Sequence, residues 1–591
     1  MIRRLFFIGF LIVLAFLLYF NPNFKTIIAG VAILLFGMIM LEEGFKVFTK
    51  GRLQNILKKA TNKLYKSISI GALVTALIQS SSLVSVITIS FISAGLIDLV
   101  GGMGLIFGAN LGTTATTWLV ASFGLKIKIS ALALPMLVFG IVFSFQEKIE
   151  LKGIGNILAG LGFFFLGIHY MKEGFDVFKQ YIDLTEYAIP GFFGALVYTV
   201  VGIVITTILQ SSSATLALIL TALSVGQIEY ENALAISIGA NVGSTVTAIL
   251  GSLSANIAGK RLAGAHLIFN LVTAIVTLIF IYPLTHLVSF IAELLNILAS
   301  DYTLKLALFH TIFNILGVIL MIPFIKKIET LLLKLFKERT DKDIDEPKYL
   351  NQSVLEFPSA VIRSLIMESQ YLYKNAVFEI VAHALNIHRD DVISDKKIKA
   401  IVKNSKADFN INVDDVYYKK VKTIYGEIIR YATTAQSELK LTKAQHETIS
   451  EIKVANRKMI EIIKTVKELN RNIKTSLNHD NKDVMKEYDG FRNKLTRVLR
   501  TIYLFRTEED SLKYAEILTR LKLDAKRNIR NSNKSIDRLI REELISAETA
   551  SSLFNDFTNV NQITKQLIEV AELLYGHKDV LLEENIKIED K

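Results

Sequence analysis

Cysteine is absent from the 591-residue chain, which excludes disulfides, thiolate metal sites and cysteine nucleophiles. Proline is scarce, 7 in all, and beyond Asp341 only Pro347 and Pro358 occur. No cluster of metal-binding side chains stands out, and no nucleophile, base and orienting group fall together. An enzyme, a transition-metal site and an organic cofactor are therefore not expected. The most informative deficit is charge. Between Ser67 and Leu125 the only ionisable acid or base is Asp98, and between Tyr187 and Gly259 there are only Tyr198, Glu229, Tyr230 and Glu231. The net charge of +12 lies largely beside apolar segments, where cytoplasmic loops collect lysine and arginine, so nucleic acid is not an expected partner.

What is present is apolar length. Hydrophobic residues make up 51% of the chain, concentrated before Lys326, in runs that reach the roughly 20 helical residues needed to cross a bilayer. The chain reads as a multi-pass protein of the cell membrane with a soluble tail. Arg3 and Arg4 precede an apolar run that ends at Tyr19-Phe20-Asn21-Pro22-Asn23 without a small-residue cleavage site, so residues 1–23 read as a retained transmembrane helix.

The chain also repeats itself. Leu41 to Phe48 returns as Met171 to Phe178, displaced by 130 residues. Gln79-Ser80-Ser81-Ser82 returns as Gln210-Ser211-Ser212-Ser213, and Gly108-Ala109-Asn110-Leu111-Gly112-Thr113-Thr114 as Gly239-Ala240-Asn241-Val242-Gly243-Ser244-Thr245, both displaced by 131. Residues 24–146 and 154–283 are therefore two copies of one transmembrane unit, with 284–325 supplying the last membrane segments. Glu42 to Lys66 carries seven basic residues against two acids, whereas Lys172 to Ala188 carries two against four. The first loop is thus expected inside and the second outside, which inverts the copies and places both chain termini in the cytoplasm. Lys126 and Lys128 break this pattern.

Ser67 to Ile97 runs 31 residues without charge, but the Gln-Ser-Ser-Ser motif divides it. The leading half, Ser67 to Ile78, spans only about 18 Å as helix, too short to cross. A re-entrant hairpin fits, with the motif at its tip and its partner motif at the tip of a second hairpin. Burying such hydroxyls and amides unpartnered costs roughly 2–7 kcal/mol each, so the paired clusters are candidate binding sites. A half-helix N-terminus suits an oxyanion, while hydroxyl and carbonyl oxygens suit a small hard cation. With no lysine or arginine nearby, a bound anion needs co-bound cations, which argues for cation-coupled anion symport and leaves a neutral substrate open. A further pair, His266-x-x-Phe269-Asn270 and His310-x-x-Phe313-Asn314, reads as interhelical hydrogen bonding ahead of proton relay or ion binding.

Past Asp341 the pattern becomes charged with 3.6-residue apolar spacing, as in Val354-Phe357-Val361-Leu365. Breaks near Asn386 to Asp391, Asn404 to Asp414, Asn478 to Lys482 and Thr507 to Asp510 leave an antiparallel helical bundle.

The paired motifs resemble the type II sodium/phosphate cotransporter family over residues 24–325, and the tail, residues 345–591, is similar in organisation to the helical phosphate-uptake regulator PhoU. Bacterial members of the family join these two parts. The fold expected is all-α, a polytopic membrane protein of two inverted repeats with re-entrant hairpins followed by a soluble helical bundle. The resemblance implies inorganic phosphate contacted by Gln79, Ser80, Ser81, Ser82, Gln210, Ser211, Ser212 and Ser213. Asn110, Thr113, Thr114, Asn241, Ser244, Thr245 and Thr215 become supports or sodium ligands. Vertebrate members continue the first motif with Thr-Ser where Leu83-Val84 stand here, which removes a hydroxyl from that side. The expected activity is sodium-coupled phosphate transport by alternating access, with sodium as coupling ion, phosphate and the bilayer as partners, and the tail open to homo-oligomer or regulatory contacts. The alternatives are a phosphate-responsive membrane sensor and a phosphate exporter not tightly coupled to sodium.

Overall fold

A computed structural model describes residues 22–49, 63–125, 129–253, 255–337, 346–351, 357–405, 421–477, 479–508, 511–527 and 529–576, with residues 15, 18, 19, 355 and 417 besides. The expected N-terminal helix, residues 1–23, lies outside this set apart from residues 15, 18, 19, 22 and 23, as do Lys126 and Lys128. The chain forms two compact units, Met1–Glu338 and Arg339–Lys591, and the described residues contain helices and no strand.

The first unit runs α1 (Pro22–Thr49), α2 (Leu64–Ile78), α3 (Ser81–Ser93), α4 (Leu99–Gly112), α5 (Thr114–Leu119), α6 (Ile129–Ser144), α7 (Ile149–Lys179), α8 (Gly191–Leu209), α9 (Ser212–Ser224), α10 (Tyr230–Ser252), α11 (Ile257–Ile279), α12 (Ile281–Leu294), α13 (Tyr302–Met321) and α14 (Ile325–Leu335). Six helical stretches are long and apolar enough to cross a membrane: α1, α7, α8, α10, α11, and α13 continued through α14. Across the unit, apolar side chains are turned outward and polar ones inward. Leu73, Val138, Ile208, Ile275 and Ile319 are more than half exposed, whereas Thr75, Asn110, Thr206, Asn241, His266 and His310 are buried. An apolar exterior around a polar interior is the distribution expected of a protein solvated by lipid.

The inversion of the two copies is visible in α1 and α7, which are equivalent elements. Gly30 faces Gly167 and Met171, Gly37 faces Gly160 and Phe164, and Gly44 faces Gly153 and Ile157, so the two helices run antiparallel. Glycines seven residues apart form one stripe along each helix, and a Cβ at Gly37 would sit 2.5 Å from the Phe164 backbone nitrogen. Small residues let the backbones touch where lipid supplies no hydrophobic force between helices.

Within each copy the same device recurs. Gly71 and Gly108 seat α4 against α2 through the carbonyls of Leu105 and Ile68, and Gly202 and Gly239 seat α10 against α8 through those of Ile236 and Thr199. The glycines of Gly-Ala-Asn-x-Gly therefore clamp the helix after each hairpin to the hairpin's first arm. In the first hairpin both arms are short, 15 and 13 residues, or about 22 and 20 Å. In the second, α8 has 19 residues and reaches spanning length, while α9 has 13.

The second unit contains α15 (Pro358–Leu372), α16 (Phe378–Ala384), α17 (Arg389–Ile393), α18 (Ile398–Asn404), α19 (Lys422–Glu438), α20 (Lys443–Leu477), α21 (Lys482–Thr507), α22 (Ser511–Arg527), α23 (Ile529–Arg541) and α24 (Ala547–Tyr575). Helix breaks fall near Asn386 to Asp391, Asn478 to Lys482 and Thr507 to Asp510, whereas the break expected from Asn404 to Asp414 lies outside the described residues beyond Ser405. Lys458 meets Glu569 and Asn472 meets Asp556, which sets α20 antiparallel to α24. Arg492, only 1% exposed, donates to the carbonyls of Leu385, Val402 and Ser405 and to Asp489, tying the ends of α16 and α18 to α21.

Candidate functional site

Both hairpin tips are built alike. Helix α2 ends on Gln79 at φ 61°, ψ 22°, and α8 ends on Gln210 at φ 56°, ψ 19°. This left-handed conformation costs a non-glycine residue roughly 1–2 kcal/mol, and each copy accepts it at the same position. The next residue caps the outgoing helix: the Ser80 hydroxyl accepts from the Leu83 amide at 3.2 Å, and that of Ser211 from the Ala214 amide at 3.2 Å. Each cap contributes roughly 1 kcal/mol. The first turns of α3 and α9 thus begin at the tips with their amides and positive dipole ends directed there. The Ser81, Ser82 and Ser212 hydroxyls make no hydrogen bond among the described residues.

One side chain joins the two tips. Thr116 on α5 donates to Gln79 Oε1 at 2.6 Å and accepts from Ser213 Oγ at 3.5 Å. The two Gln-Ser-Ser-Ser motifs, 131 residues apart, therefore converge on one polar centre. The hydroxyls of Thr113, Thr114, Ser244 and Thr245 donate to the carbonyls three residues earlier, of Asn110, Leu111, Asn241 and Val242. Their protons are used locally, which leaves oxygen lone pairs free to face a cation.

The two Gly-Ala-Asn asparagines each meet one of the His-x-x-Phe-Asn motifs. Asn110 Oδ1 lies 3.4 Å from His266 Nε2 on α11, and Asn241 Oδ1 lies 3.1 Å from His310 Nε2 on α13. His310 Nδ1 also contacts Thr117 Oγ1 at 3.0 Å, and Asn241 donates to Asn314 Oδ1 at 2.9 Å. These are interhelical hydrogen bonds. The first-copy cluster is less complete: Asn110 Nδ2, His266 Nδ1 and Asn270 Oδ1 are buried without partners.

A related asymmetry sits in the hairpin arms. Thr206 donates to Thr215 at 2.9 Å, but the equivalent Thr75 faces Val84 in sequence register and its buried hydroxyl is unpartnered. Thr75 and Thr206 stand at the same displacement of 131 as the motifs. That shared offset marks them in the sequence, although neither was among the expected site residues. Thr116 belonged visibly to a hydroxyl-rich run, and only its position in the fold makes it the bridge.

The geometry defines a membrane transporter class: inverted repeats, two broken-helix tips and a shared polar centre. The sequence profile of the Na+/Pi-cotransporter family matches residues 33–173 and 194–330, and the membrane unit of the chain belongs to that family. The chain is 29% identical over 303 residues to the Bacillus subtilis (strain 168) protein "Uncharacterized protein YqeW", covering 50% of this chain and 94% of that one. It is 26% identical over 348 residues to the Escherichia coli K12 protein "Putative inorganic phosphate export protein YjbB", covering 58% of this chain and 61% of that one. The Salmonella typhimurium protein of the same name is 26% identical over 347 residues, again 58% and 61%. No solved structure matches the chain.

Proposed function

We propose that the chain carries inorganic phosphate across the membrane, coupled to sodium, by alternating access about the two tips. The observation that carries this reading is that Thr116 contacts both tips, donating to the Gln79 side chain of the first and accepting from Ser213 of the second. Amide dipoles and hydroxyls at Gln79, Ser80, Ser81, Ser82, Gln210, Ser211, Ser212 and Ser213 suit phosphate oxygens. The surrounding stretches carry no lysine or arginine, so sodium supplies the balancing charge. Asn110, Thr113, Thr114, Asn241, Ser244, Thr245 and Thr215 offer its oxygen ligands or their supports. Family membership and the names of the YjbB relatives favour phosphate as cargo. On this reading both termini are cytoplasmic and Arg339–Lys591 is a PhoU-like regulatory unit.

The YjbB relatives favour a second reading as regards direction, namely export. Radioactive phosphate flux in proteoliposomes, with sodium gradients imposed in each direction, separates the two. Sodium-driven flux that falls at least tenfold in Ser212→Ala is expected, and its sign against the gradient gives the direction. Flux that ignores sodium and survives Ser212→Ala refutes the mechanism.

A further inference from the structure

In the second unit the side chains of Lys374, Arg389 and Arg506 line one shallow cleft, together with Tyr373, Phe378 and Tyr503. None of the three cations forms an ion pair among the described residues. Partial desolvation, and then the charges of Arg506, Arg389 and Lys348, all of its own sign, hold the Lys374 ammonium below the ordinary lysine range. Two of the cations rest on aromatic faces, Arg389 5.7 Å from the Phe378 ring centre and Arg506 5.5 Å from that of Tyr503. Such stacking orients the guanidinium planes, and Arg506 also hydrogen-bonds the Tyr575 side chain, so the donors turned to the cleft are those of Arg389 and the remaining N–H groups of Arg506. Beside them the Tyr373 hydroxyl is buried without a hydrogen-bond partner.

Like charges held together without carboxylates are unfavourable unless an anion joins them. A guanidinium pair, an ammonium and a phenolic donor match a multiply charged oxyanion in both charge and hydrogen-bond sense. The cleft encloses little space of its own, so a whole organic ligand is excluded and a single anionic group would be held across its mouth. We propose that this cleft binds a phosphate group, either free inorganic phosphate or a phosphomonoester headgroup. The site lies on the C-terminal unit and does not depend on the transport reading. A C-terminal unit with its own phosphate site could report phosphate independently of the membrane centre.

The test uses the full chain in nanodiscs and reads hydrogen–deuterium exchange in peptides covering residues 373–393 and 502–506. In zwitterionic lipid, millimolar inorganic phosphate is expected to slow exchange there relative to chloride at equal ionic strength. In a second arm, phosphatidic acid replaces part of the lipid and no phosphate is added, and protection in that arm alone identifies the headgroup as the source. Lys374→Gln combined with Arg389→Gln weakens the apparent affinity at least roughly tenfold, as expected for a lost charge-assisted hydrogen bond. Ser212→Ala leaves the cleft's protection intact, which separates it from the membrane site. Absence of protection in both arms overturns the proposal. So does protection that survives the double neutralisation or is lost in Ser212→Ala. Lys374 is exposed, so an unchanged melting temperature for Lys374→Gln alone keeps the result free of misfolding.

Discussion

Alanine at Gly108 tests whether the Gly-Ala-Asn-x-Gly glycines act through helix contact. A Cβ there would lie 2.0 Å from the Ile68 carbonyl oxygen and 2.8 Å from its carbon, and at Gly239 it would lie 2.0 Å from the Thr199 oxygen. Ordinary contact begins at 3.4 Å, so α4 must move off α2 by more than an ångström, and the obstructing atoms are backbone on both sides. Overpacking of this kind costs about 1–3 kcal/mol, occasionally more. The displacement also reaches the site, because Asn110 lies on the same helix and Thr116 just beyond it, and the Thr116–Gln79 bond of 2.6 Å cannot stretch by an ångström and survive. Gly108→Ala and Gly239→Ala are therefore expected to lower the thermal unfolding temperature of the detergent-solubilised chain and to reduce phosphate flux. Gly426→Ala and Gly490→Ala serve as controls of opposite sign. Both glycines are helical with no atom near the added Cβ, and alanine should gain about 0.5–1 kcal/mol at each. If Gly108→Ala melts with or above the parent chain, the close-contact reasoning fails.

Thr215→Val should strand the buried Thr206 hydroxyl, now bonded at 2.9 Å, and destabilise by about 1–3 kcal/mol, whereas Val84→Thr should supply Thr75 with a partner and cost little. Equal melting temperatures for the two variants would sink that comparison. Burial pushes the Glu368 carboxyl up to about 7 from 4.5, partly offset by the amides of Tyr349, Lys348 and Leu350 and by the Lys348 charge. Since the folded state keeps its proton where the unfolded state loses it, this group stabilises the second unit below pH 4.5, and that contribution disappears as pH rises towards 7. The change is about 3 kcal/mol. Glu368→Gln should flatten the pH dependence of local hydrogen exchange across this window, and an unaltered slope contradicts the assignment. Arg492→Met should destabilise the second unit by about 3–5 kcal/mol, because it strands the carbonyls of Leu385, Val402 and Ser405. Denaturation with wild-type midpoint would show that water replaces the guanidinium.

Much of the architecture is local and hence legible without coordinates. A helix arm too short to cross, an uncharged run divided by four polar residues, and apolar spacing that lapses at Asn386 or Thr507 are properties of neighbouring residues. So is the duplication, since copies announce themselves by offset. The left-handed Gln79 and Gln210 occur at the break that the motif predicts. The His-x-x-Phe-Asn motifs were legible as hydrogen-bonding pairs, but their partners were not. His266 reaches Asn110 across 156 residues of chain and His310 reaches Asn241 across 69, and nothing in either motif names the other.

By itself, the sequence determined the membrane class, the two copies and their opposed orientation, and the breaks that make the tips, because periodicity, charge bias and helix termination act over a few turns. Only the tertiary structure decided that Thr116 joins the tips, that glycine stripes lock α1 to α7, and that Thr75 lacks the partner Thr206 has. It also decided that Lys374, Arg389 and Arg506 share a cleft. Each of these depends on which helix faces reach contact distance after packing, and a short-ranged hydrogen bond or ion contact exists only once that distance is set.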